Sequence, residues 1–370
     1  MKRDTPQNLR IPGPTPLPPE VLKSISQQMI NHRGHSYEVI QKRVIENLKY
    51  FFQTTNDIFL LTSSGMGGLE AAIVNFFSPT DTIVSFTCGE FGNRWADVAR
   101  AFAANVVQVK FPLGKAVDKD EVFKTLENQP DVKGVLFTLN ETATGVLNKI
   151  KEFTPFVHQH KNKPLILVDA ISGLGAIDLP MDELGIDVLV TASQKAWMAP
   201  PGIAMISVSD KAWNFHLNAK MPRYYFDLSM YKKFAEKNQT PATCAVSTIF
   251  GLDTALQMMK KEGRENIFKR HLELMRLTRK ELRKLGLELF VDDNDASPTV
   301  TSIKIPDGVD GHKWLEILRE KYNVVLAGGM GETKGKIIRV AHMGWVNRKD
   351  LENVIQALRS SLEDLKVKNI

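Results

Sequence analysis

Between about residues 36 and 202, short apolar runs alternate with stretches whose apolar residues recur at helical spacing. The runs fall at 58–61, 82–86, 106–109, 134–138, 165–169 and 186–190. Strands alternating with helices in this way predict a mostly parallel, doubly wound α/β sheet. A further apolar run at 202–208 follows a short turn containing Pro200 and Pro201. That turn has no room for a crossover helix, so the run predicts an antiparallel strand. Helical patterns at 247–261 and 264–285 come next, the second carrying Ile267, Leu274, Met275, Leu282 and Leu285 on one face. Beyond them, segments at 299–305, 313–321, 324–326, 337–341 and 351–365 give a β-α-β-β-α order, the pattern of a small second α+β domain.

Composition narrows the class without naming a chemistry. A chain of 370 residues is long enough for two domains, and 43% hydrophobic with 24% charged residues is typical of a soluble globular protein. The net charge of +6 comes from lysines and arginines interleaved with acids, which reads as a solvated surface and not as a nucleic-acid footprint. Cys88 and Cys244 are far apart and lack metal-ligand spacing, which argues against a zinc ribbon or an iron–sulfur ligand set and for a reducing compartment. The stretches 1–8 and 367–370 read as neither leader nor targeting tail, and no run reaches membrane-spanning length, so a cytoplasmic location is expected.

The chemistry gathers at the strand ends. The run 165–169 closes on Asp169, and Lys195 follows the run 186–190 by a few residues. In open α/β sheets the ligand crevice lies outside the carboxyl ends of the strands, so the two side chains are expected to converge. An acid and an amine delivered together fit pyridoxal 5'-phosphate (PLP), where a lysine forms the Schiff base and an acid holds the ring nitrogen protonated. Thr62-Ser63-Ser64-Gly65-Met66-Gly67-Gly68, between an apolar strand and a helical pattern at 69–77, is suited to a phosphate, since glycines admit close approach and the helix N-terminus attracts an anion. Phe91 stands at the same sheet edge and reads either as a ring-stacking face or as a hydrophobic lid. Thr142 reads either as a turn former or as a hydroxyl near the cofactor. Arg339, flanked by apolar neighbours on a strand, needs a partner, either a substrate carboxylate or a structural acid. His32, Arg33 and His35 form a polar cluster suited to an active-site mouth.

Several stretches together carry a family likeness. They are Pro12-Gly13-Pro14-Thr15-Pro16, Ser64-Gly65 with Leu69-Glu70-Ala71-Ala72, Gly92-Asn93-Arg94, Glu141-Thr142-Ala143-Thr144-Gly145, Val168-Asp169-Ala170, Ser193-Gln194-Lys195-Ala196 with Pro200-Pro201-Gly202, and Ile338-Arg339-Val340. With them the chain resembles the class V aminotransferases of PLP fold type I, in the alanine–glyoxylate and serine–pyruvate branch, over nearly its whole length. The resemblance implies a large PLP-binding domain over 17–260 and a small domain built from 1–16 with 261–370. It implies Lys195 and Asp169 as the catalytic pair. Ser64, Gly65, Met66 and Gln194 would hold the phosphate, Phe91 would stack on the ring, Thr142 would lie near the phenolic oxygen and Arg339 would take the substrate carboxylate. Thr243 would reach the neighbouring subunit's phosphate in a homodimer with shared sites. Phe250 stands where many relatives have Tyr, which removes a hydroxyl, and Met66 offers only its backbone. The expected activity is ping-pong transfer of an amino group from a small amino acid, alanine or serine, to a 2-oxo acid, glyoxylate or pyruvate. The alternatives are a PLP-dependent lyase or desulfurase of the same fold, and a non-catalytic accessory subunit of the hydrogenase type.

Overall fold

The computed structural model describes residues 6–365. Residues 1–5 and 366–370, which include most of the stretches read for targeting signals, lie outside the described residues. The large sheet has seven strands: β1 (Asp57–Thr62), β2 (Thr82–Thr87), β3 (Asn105–Lys110), β4 (Val132–Thr138), β5 (Leu165–Asp169), β6 (Val188–Ala192) and β7 (Ile203–Val208). They lie in the order β1-β7-β6-β5-β4-β2-β3. Neighbours are parallel except at β7, which pairs antiparallel with both β1 and β6, as the short turn before it requires. Every residue of β5, β6 and β7 is buried, so these strands are covered on both faces, and the edge strand β3 carries the exposed residues Asn105 and Lys110.

Several elements start a residue or two from where the sequence pattern suggests, and two of these shifts have a visible cause. Strand β6 begins at Val188 because Asp187, inside the expected run 186–190, turns its carboxylate to Ile166 N at 2.9 Å, Ser209 Oγ at 2.9 Å and Lys211 Nζ at 2.9 Å. The helix after the glycine loop, α1 (Gly65–Val74), begins inside the loop itself. Its glycines face the sheet at close range: a Cβ on Gly68 would lie 2.7 Å from Val190 Cγ1. Helix α2 (Glu90–Ala101) follows β2, and α3 (Val246–Glu262) precedes the small layer.

The small layer is an antiparallel sheet, β8 (Val300–Lys304), β9 (Ala327–Gly328) and β10 (Ile337–Ala341), ordered β8-β10-β9 over a core that includes Leu274, Leu282, Trp314, Ile338 and Leu358. The expected strand at 324–326 does not join the small sheet: Val324–Val325 pairs parallel with Asn8–Leu9, and the strand that pairs with β10 is Ala327–Gly328, after Leu326. The N-terminal segment is thereby tied to the small layer, with Ala341 N donating to Arg10 O at 2.8 Å. No helix among the described residues is long and apolar enough to cross a membrane.

Candidate active site

Strand β5 delivers Asp169 as its last residue, and the chain leaving β6 passes through Ser193 and Gln194 to Lys195. Both side chains line one cleft of about 210 Å³, together with Ser64, Gly65 and Met66 from the start of α1. Phe91, Thr142 and Gln194 complete the sequence-derived residues that line it.

The Lys195 ammonium is held from above by the N-terminal segment. Its Nζ donates to Pro12 O, while Thr15 Oγ1 donates to Lys195 O at 3.0 Å and Thr15 N donates to Gln194 O at 3.1 Å. Gly13 sits at φ +114°, where a residue with a side chain is strained, and a Cβ there would lie 2.6 Å from Lys195 Nζ and displace the end of that side chain. Burial lowers the Lys195 pKa to about 8; Asp169 pulls it back up and Arg339 adds to the lowering. Burial likewise pushes Asp169 up to about 6, opposed by the bond from Ile171 N to Oδ1 at 2.9 Å and by Lys195. Each member of the pair is thus desolvated and electrostatically coupled to the other.

A hydroxyl network borders the pair. Thr142 Oγ1 bonds Ser172 Oγ, Ser172 Oγ donates to Asn140 O at 3.0 Å, and Asn140 Nδ2 donates to Ser172 Oγ at 2.8 Å. The buried Gln194 Oε1 has no hydrogen-bond partner, and Ser64 makes no side-chain cap to α1 although it occupies the N-cap position. Those polar groups remain available to a ligand. A Cβ on Gly65 would meet Ile171 Cδ1 at 2.6 Å, so the loop's glycine lets the start of α1 press against the end of β5.

Arg339 reaches the site from the small layer without lining the cleft. It is 5% exposed, its Nη1 donates to Thr142 O at 2.9 Å and its Nε to Gly328 O at 2.9 Å. Burial lowers its pKa to about 10, opposed by the charge of Glu141. Thr243 is exposed, 3.5 Å from His32 Nε2, and Phe250 is buried in α3 against the core; neither lines the cleft of its own chain. The cluster at 32–35 lies outside the cleft as well. Arg33 clamps the segment 239–241 by donating to Thr240 O, to Pro241 O at 2.9 Å and to Gln239 Oε1 at 3.3 Å.

Four contributors to the site are not marked as site residues by the sequence pattern. Pro12 and Gly13 were legible only as part of a motif, because their role depends on a contact with a lysine far along the chain. Ser172 was visible as a small residue after Asp169. Glu141 carried the clearest signal, an acid between Asn140 and Thr142 immediately after an apolar strand. It is fully buried, and its pKa is pushed up to about 7 by desolvation against three backbone N–H donors.

Known proteins resemble this chain in sequence and in fold. The family model described as aminotransferase class V matches residues 8–362, and the chain belongs to that family. The soluble hydrogenase 42 kDa subunit of Anabaena cylindrica is 40% identical over 359 residues, 96% of this chain and 93% of that protein. Serine–glyoxylate aminotransferase of Arabidopsis thaliana is 32% identical over 363 residues, 97% and 90% of the two chains. The crystal structure of alanine–glyoxylate aminotransferase from Nostoc sp. superposes with a TM-score of 0.93 at 27% identity, covering 98% of this chain and 97% of that one. The fold is that of the PLP fold type I aminotransferases, a large mixed sheet with a small C-terminal sheet.

Proposed function

We propose that this protein is a PLP-dependent aminotransferase that moves an amino group from a small amino acid, alanine or serine, to a 2-oxo acid, glyoxylate or pyruvate. The observation that carries the reading is the convergence of Lys195 and Asp169, both desolvated, in a cleft whose other polar groups include an unpartnered Gln194 amide oxygen and an uncapped Ser64. The residues suit the cofactor: Lys195 its aldehyde, Asp169 its ring nitrogen, Phe91 its ring face, Thr142 its phenolic oxygen, and Ser64, Gly65, Met66 and Gln194 its phosphate. When bound, PLP supplies a protonated ring that accepts the electrons released at the substrate Cα.

The protein's part is proton handling and orientation. With a pKa near 8, Lys195 has a substantial neutral fraction at mildly alkaline pH, and its Nζ can take the proton from the substrate Cα and return it. Asp169, ionised above about pH 6, favours a proton on the ring nitrogen. In this reading Arg339, held behind Thr142 by its bonds to Thr142 O and Gly328 O, takes the substrate carboxylate with its remaining N–H groups. Thr243 and Phe250, which stand outside the cleft of their own chain, belong in this reading to a homodimer in which Thr243 serves the neighbouring subunit's phosphate.

Single half-reactions test the proposal. Protein loaded with PLP and mixed with alanine or serine is expected to release one equivalent of 2-oxo acid per site without an acceptor; no release from either amino acid would contradict the stated donors. The desulfurase alternative asks for an accessible cysteine nucleophile. Cys88 is buried with its thiol pushed up to about 12 by desolvation, and Cys244 is buried and donates to Tyr37 Oη at 3.0 Å. The Anabaena relative's name supplies the second reading, a part in a soluble hydrogenase. It predicts co-purification with hydrogenase activity and no oxo-acid release.

A further inference from the structure

We propose that Glu141 is the positioning residue of the ring-binding part of the cleft, holding Phe91, Thr142 and, through Thr142, Arg339 in one arrangement. The inference rests on the reading of the cleft as a PLP site. Glu141 Oε2 accepts from Phe91 N at 3.0 Å and Gly92 N at 3.2 Å, in the first turn of α2, where backbone N–H groups have no acceptor inside the helix. A carboxylate there is also favoured by the positive end of the helix dipole. Its other oxygen, Oε1, accepts from Ala143 N at 3.0 Å and closes the turn that contains Thr142. Thr142 then faces two ways, its hydroxyl to Ser172 and its carbonyl to Arg339 Nη1.

One carboxyl group therefore links the helix that bears Phe91 to the turn that bears Thr142 and anchors Arg339. The surrounding chain makes room for it. A Cβ on Gly89 would lie 2.6 Å from Glu141 Cγ and 2.7 Å from its Cδ, so the residue before α2 is one that has no side chain. Glu141 does not line the cleft, which separates its role from that of the cofactor-facing groups. Its replacement by an amide keeps the volume but sets an NH2 group against a backbone N–H, and at least one buried donor goes unmet.

The test compares wild type with Glu141→Gln, each prepared free of cofactor and titrated with PLP. The variant is expected to show a roughly tenfold rise in cofactor dissociation constant and an altered circular dichroism band of the bound ring. Phe91→Ala combined with Glu141→Gln is expected to weaken binding by less than the product of the single effects, because both act on the same ring contact. Wild-type affinity and dichroism in Glu141→Gln, or fully multiplicative effects in the double variant, would overturn the proposal. Should Glu141→Gln not fold, Glu141→Asp keeps the charge, withdraws it by one methylene and is read the same way. Wild-type protein that fails to bind PLP would instead defeat the reading of the cleft, a separate outcome.

Discussion

An ordinary lysine holds its proton until about pH 10.5, whereas Lys195, enclosed by Pro12, Gly13 and the end of β5, releases it near 8. The sign decides a pH dependence. Only the neutral amine attacks an aldehyde, and the neutral form lies above the pKa. Capture of PLP by the cofactor-free protein is therefore expected to quicken as pH rises and to level off above about 8. A stopped-flow series that rises without a plateau to beyond pH 10 would show an unperturbed lysine. The proximity of Asp169 was legible because both residues follow apolar runs. The shift itself was not, since it depends on the N-terminal segment folding back over the amine.

At the scale of single elements, α1 shows what a glycine-rich helix start contributes. Gly65 brings the loop onto Ile171, and Gly68 brings the helix onto Val190 of β6. Gly68→Val places methyl groups where the Cβ alone already meets Val190, so the helix must lift. Overpacking of this kind costs about 1–3 kcal/mol, and a fall in the thermal midpoint with weakened PLP binding is the expected result. Unchanged stability would mean that the helix tolerates displacement. The alternation of strand and helix announced this layer and the antiparallel β7. It did not reveal that the glycine loop is already helical, because a glycine-rich start has little helical propensity of its own and is held by packing. Nor did it reveal that Val324–Val325 pairs with Asn8–Leu9, a parallel contact between segments at opposite ends of the chain. Pairing at that separation leaves no trace in local periodicity.

At the scale of the whole molecule, the cleft lies where strands of the large sheet end, and Arg339 approaches it from the small layer. The eight cleft-lining residues named from the sequence sit at strand ends or in the turns and helix starts that follow them, where a strand-by-strand reading looks for a site; the phosphate role of Gln194 came from the family likeness. Thr243 and Phe250 came only from the family likeness, and within one chain the geometry gives them no contact with the cleft. In the homodimer reading Thr243 acts across the interface. Light scattering is then expected to give twice the chain mass, and Thr243→Ala is expected to weaken PLP binding without changing that mass. A monomer that binds PLP at full strength would remove the shared-site part of the proposal.

The central claim is a covalent bond between PLP and one lysine, and it is measured most directly by borohydride reduction of the loaded protein followed by peptide mapping. The account predicts a single stable pyridoxyl modification on the peptide containing Lys195, lost in Lys195→Ala. Modification of a different lysine, or none after full loading, would contradict it.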